Sequence, residues 1–176
     1  MSERSPRKRW AQLAALSALL FARASLAEGY KPAIGAFLGL AFDQHRPTVE
    51  WGFEFTQVFN QTPPGVCGSN NRTTAGFFTH VSVLGLSRPG FASGIFGGSE
   101  IGTRDLGIMG EVGVAARFDD TNARWGIHSG LLFEHQHGFA YVRQRWLLNQ
   151  PGVGIGVRSS PIFKDTSSED CRRILP

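Results

Sequence analysis

Cysteine is nearly absent from this 176-residue chain, with Cys67 and Cys171 the only two. Two cysteines so far apart supply too few ligands for a metal centre. Lysine is almost as scarce: after Lys8 come only Lys31 and Lys164. A soluble sheet normally carries lysines on its wet face and along its edges. Apolar runs of about 18 residues are missing, so no transmembrane helix is expected. Excess charge is also small once its location is considered. The chain has 18 Lys+Arg against 14 Asp+Glu, but Arg4, Arg7, Lys8, Arg9 and Arg23 precede residue 28, against Glu3 alone. Removing those five cations and one anion leaves 13 charges of each sign. That balance excludes the electrostatic footprint of a nucleic-acid partner. The 22 glycines follow no strict period of three, which excludes collagen.

What is present begins with an address. A basic start is followed by the apolar stretch Ala11 to Ala22, and then by Ser25 and Ala27 at the −3 and −1 positions of a cleavage site. This order is that of a secretory signal peptide. The expected division is therefore a signal peptide over 1–27, a folded body over 28–163 and a polar tail over 164–176. An exported chain meets an oxidising compartment, where a Cys67–Cys171 disulfide is the simplest use of the pair.

The body alternates with period two. Val49, Trp51, Phe53 and Phe55 alternate with Glu50, Gly52, Glu54 and Thr56. Leu106, Ile108, Val112 and Val114 oppose Gly107, Glu111, Gly113 and Arg117, and Trp125, Ile127, Leu131 and Phe133 oppose Arg124, His128 and Glu134. Val153, Ile155 and Val157 interleave with glycines and Arg158. Further strands are expected over 33–42, 74–86, 91–97 and 139–148. Successive strand side chains point to opposite faces, so each segment has one oily face and one small or charged face. Turn residues separate them at 43–47, 87–90, 119–122 and 149–152. The sum is an all-β, antiparallel up-and-down barrel of about eight strands, most near 10 residues, closed so that no edge is exposed.

Alternation does not say which face is wet. The polar face consists of glycines with isolated, balanced charges: Glu50, Glu54, Glu111 and Glu134 against Arg117, Arg124, Arg143, Arg145 and Arg158. Glycines cover a sheet poorly against water but leave room inside a narrow barrel, where charges pair with one another. His128 is expected to join this lumen network through Glu111 or Glu134. Trp51, Trp125, Trp146 and Tyr141 are candidates for interfacial aromatic girdles. On these patterns the chain resembles the small porin-like outer-membrane β-barrels of Gram-negative bacteria. The resemblance implies an outer-membrane location, lipid as the surrounding partner, no cofactor, and a structural or surface-interaction role with a closed lumen. It departs from that family at the end, where Ile162 and Phe163 are followed by a polar tail, and in loop length, since the long 60–73 segment falls on the side of the termini. A soluble periplasmic barrel holding a small apolar ligand in an oily interior is the rival arrangement.

The most specific local pattern is His80 to Pro89. His80, Ser82, Gly85, Leu86 and Pro89 are similar in spacing to the signature of outer-membrane lipid A 3-O-deacylases, which implies His80 as base and Ser82 as nucleophile. Val83 stands where that family has Asn, and the nearest carboxylate beyond Pro89 is Glu100. Glu134, His135 and His137 cluster at a hairpin, but His-x-His alone gives too few ligands, so no metal is expected. Gly152 to Gly156 lacks the Lys and following helix of a phosphate loop and reads as strand.

Overall fold

Each alternating segment becomes a strand in the computed structural model, which describes residues 32–43, 46–61, 73–101, 106–119 and 122–163. The strands are β1 (Ala33–Asp43), β2 (Arg46–Gln61), β3 (Thr73–Leu84), β4 (Arg88–Glu100), β5 (Leu106–Phe118), β6 (Ala123–His135), β7 (Gly138–Trp146) and β8 (Gln150–Arg158). Every strand pairs antiparallel with its neighbours in sequence, and β8 returns to β1 through Gly35↔Arg158 to Ala41↔Gly152. The sheet is thus a closed eight-stranded up-and-down barrel, as the alternation predicts. Among the described residues no helix is long and apolar enough to cross a membrane. The leader, Cys67, Cys171 and the tail from residue 164 lie outside the described residues.

Several strands run longer than expected, and proline explains why. Pro47, Pro89 and Pro151 were turn candidates, yet each lies in a ladder, opposite Phe42, Val83 and Gln144 respectively. On the other flank, pairing starts only at Glu50, Gly90 and Gly152. Each proline therefore sits where one neighbour is missing and its absent N–H breaks no ladder bond. The turns shrink to match. Gly85 occupies a positive φ of 65°, a conformation glycine adopts without penalty. In the β7–β8 turn, Leu147 and Asn149 are also left-handed, and Leu148 folds inward against Gly126 instead of extending β7.

The two faces separate cleanly. Phe53 and Ile155 are 59% and 67% exposed on the outer wall, with Ile34, Val81, Val112, Ile127, Val142 and Val157 likewise outside. Glu54 and Arg143 are each 2% exposed within. This corrects the wholly oily interior: the exposed apolar side chains line the outside, and the interior combines paired charges with an apolar cluster that includes Phe37, Phe78, Phe96, Met109 and Leu132. Tyr141 is a second correction. It points inward, 3% exposed, because it shares strand parity with Arg143, and its hydroxyl fills space left by Gly39 and Gly154.

β1 begins and β8 ends at one end of the barrel, here the near end, which also carries the β6–β7 hairpin. The last strand stops at Arg158. Ile162 and Phe163 then tuck beneath the barrel, where Phe163 is 1% exposed with its ring over Gly107. Their backbone N–H groups donate to Glu134 Oε1 at 2.6 and 3.3 Å.

Candidate functional site in the barrel interior

Inward polar side chains form two layers. The far layer is built on Glu50 of β2. Its carboxylate accepts Ser82 Oγ at 2.6 Å, both Nη atoms of Arg145 at 3.1 and 2.8 Å, and Arg117 Nη2. Arg117 also donates to Ser82 Oγ at 3.0 Å and to Gln150 Oε1 at 3.1 Å. Gln150 donates to Asp43 at 3.0 Å, and Asp43 pairs with Arg88. Above this layer a cavity of about 260 Å³ opens at the far end, lined by Asp43, Arg88, Arg117, Asp119, Arg124 and Gln150.

The central layer runs downward from Glu111. Arg143 lies 3.4 Å from Glu111 and donates to Glu54 at 3.2 Å. Arg158 pairs with both Glu54 and Glu134. The guanidinium of Arg143 stacks 4.0 Å from the Tyr141 ring centre, and that of Arg158 lies 4.5 Å from the Phe139 ring centre. Cation–π contact and ion pairing together hold planar cations across the lumen. His128 Nε2 is 3.1 Å from Glu111, the pairing expected from the sequence. Gly130 permits this crowding, since a Cβ there would stand 2.8 Å from Glu111 Oε2 and 3.2 Å from Arg143 Cγ.

The structure brings Glu50, Glu54, Glu111, Arg117, His128, Glu134, Arg143, Arg145 and Arg158 into these layers. Arg124 is the exception. It has the inward parity but is exposed at the mouth, opposite Arg117 at the end of the β5–β6 ladder. Asp43, Arg88 and Gln150 were missed by sequence reading, because all three lie within or beside segments assigned to turns. Strand parity from Ala41 to Asp43 is the signal that identifies the first.

His80 and Ser82 are both inward and buried, at 1% and 3% exposure. No hydrogen bond joins them. Ser82 is engaged by Glu50 and Arg117, while His80 Nε2 faces Glu111 at 3.3 Å, Glu54 at 3.6 Å and Arg143 at 3.3 Å. A nucleophile for membrane lipid needs an outward or open position, and neither residue has one. His135 and His137 lie at the near-end hairpin, with His137 Nδ1 3.0 Å from the Arg158 carbonyl. No protein-family model, curated protein or solved structure matches this chain, so its geometry carries the functional reading.

Proposed function

We propose that the chain is an integral outer-membrane β-barrel with a structural or surface-interaction role, its lumen closed by the Glu/Arg layers. One observation carries this reading: every strand turns large apolar side chains outward, while the buried charges of β2, β5, β6, β7 and β8 pair with one another inside. Leaving one large apolar side chain in water forgoes about 1.5–3 kcal/mol. A continuous outer band of such residues in water would forgo more than the roughly 5–15 kcal/mol that keeps a domain folded. Acyl chains remove that penalty. The strands of 9 to 16 residues meet the roughly 9–11 needed for a tilted crossing. Trp51, Trp125 and Trp146 stand outward toward the far end, where an interfacial girdle belongs.

Expression in a Gram-negative host followed by fractionation tests the reading. The protein should resist osmotic shock and salt, require detergent for extraction, and run faster on gels before boiling than after. In planar bilayers it should carry no steady conductance. Release by osmotic shock without detergent would overturn the membrane assignment, and a stable open channel would overturn the closed lumen.

A further inference from the structure

Glu111 is where side chains from three strands converge. Its two oxygens lie 3.3 Å from His80 Nε2 on β3 and 3.1 Å from His128 Nε2 on β6. Ligand atoms from the three residues all fall within 4.8 Å of one another, and all three residues are buried. β4 allows the approach, because Ala92 and Gly94 are small and the ring of Phe96, the residue paired with Glu111, lies over Gly76.

Hydrogen bonding alone leaves this cluster frustrated. A ring nitrogen carries either a hydrogen or a lone pair. If His80 Nε2 carries a hydrogen, it suits Glu111 but meets the Arg143 donor at 3.3 Å. If it carries a lone pair, it suits Arg143 but meets the Glu111 oxygen as acceptor against acceptor. The Nδ1 atoms of His80 and His128 have no hydrogen-bond partner and are buried. The surrounding charge adds a second pressure. The connected carboxylates Glu54, Glu111 and Glu134 face two guanidiniums, Arg143 and Arg158, so neutral histidines leave one negative charge in excess. The excess is local to this layer, since Glu50 in the far layer faces both Arg117 and Arg145, and Arg143 beside Glu111 meets part of it.

The geometry points to a divalent first-row transition-metal site formed by His80, Glu111 and His128 inside the lumen. Two imidazoles and one carboxylate favour zinc, copper or nickel over calcium or magnesium, which prefer all-oxygen shells. The 3.3 and 3.1 Å contacts run from His80 and His128 to different oxygens of Glu111, and one donor atom from each of the three residues lies within 4.8 Å of the others, a spread that small side-chain rotations close onto one ion with bonds of about 2.0–2.1 Å. The ion takes the lone pairs of both Nε2 atoms and one Glu111 oxygen. Arg143 retains Glu54 as its own partner. Such an ion ties β3, β5 and β6 together across the barrel, and the site does not depend on the compartment in which the barrel resides.

The chain has five histidines: His45, His80, His128, His135 and His137. A full-length variant carrying His45→Gln, His135→Gln and His137→Gln retains only the proposed pair. Refolded in detergent micelles with zinc and desalted, it should hold one zinc per chain by elemental analysis. X-ray absorption should show two imidazoles and no sulfur in the shell. Adding His80→Asn and His128→Asn should lower the zinc content at least tenfold, with gel mobility before boiling confirming a folded barrel. Zinc absent from the folded triple variant would overturn the site, as would a sulfur ligand or undiminished zinc after the second pair of substitutions. If those last substitutions prevent folding, the absorption spectrum of the triple variant decides.

Discussion

Replacing Glu50 by glutamine isolates the contribution of the far layer. The substitution keeps the side-chain shape but removes the charge that Arg117 and Arg145 share. The two arginines are not affected equally. Arg117 keeps Ser82 at 3.0 Å and Gln150 at 3.1 Å. Arg145 has its hydrogen bonds to Glu50 alone and is 2% exposed. Breaking a buried pair from one side costs about 3–5 kcal/mol, because the surviving charge stays desolvated. A glutamine oxygen still accepts one hydrogen bond, so the lower part of that range applies, a loss of about 3 kcal/mol. That lowers the folding equilibrium constant by roughly a hundredfold, at about 1.4 kcal/mol per tenfold. The assay is a urea titration of the barrel in lipid vesicles, followed by gel mobility without boiling. Combining Glu50→Gln with Arg145→Met should recover part of the loss, because the stranded cation disappears with its partner. A Glu50→Gln barrel within 0.5 kcal/mol of the wild type would refute the layer as a set of coupled buried charges.

Two further outcomes follow from local packing. Gly130→Ala places a methyl 2.8 Å from Glu111 Oε2 and should cost about 1–3 kcal/mol by overpacking, whereas Gly110→Ala, with its nearest atom at 3.9 Å, should change little in the same titration. Leu147→Gly should raise stability by up to about 1 kcal/mol, because an exposed leucine held at φ 67° gives way to a residue that adopts this conformation freely. An unchanged or lowered urea midpoint would count against strain at that turn.

The barrel was legible because its signal is local. Period-two alternation at Val49 to Thr56 or Trp125 to Glu134 assigns both the strand and the face of every residue in it. Parity alone puts Glu50, Glu54, Glu111 and Arg143 on one side of the wall. Parity does not give height along the barrel, which depends on strand stagger. Arg124 shares the parity of His128 yet emerges at the mouth for that reason. Nor does it give partners across the lumen. His80 reads naturally with Ser82, two residues away, but its neighbours are Glu111, Glu54 and Arg143, brought to it by barrel closure. Tyr141 was misassigned when residue type outweighed parity: an amphipathic ring suits a girdle, but its place between Ala140 and Val142 turns it inward. Turn assignment failed at Pro47, Pro89 and Pro151 because a proline is tolerated wherever one flank of a strand is unpaired, a condition set by neighbours far away in sequence.

Fluorescence quenching of Trp51, Trp125 and Trp146, each as the only tryptophan of a barrel refolded into vesicles, examines the orientation of the wall most directly. The account predicts strong quenching by lipids brominated on the acyl chain and little by aqueous acrylamide. Efficient acrylamide quenching with no effect of the brominated lipids would contradict it.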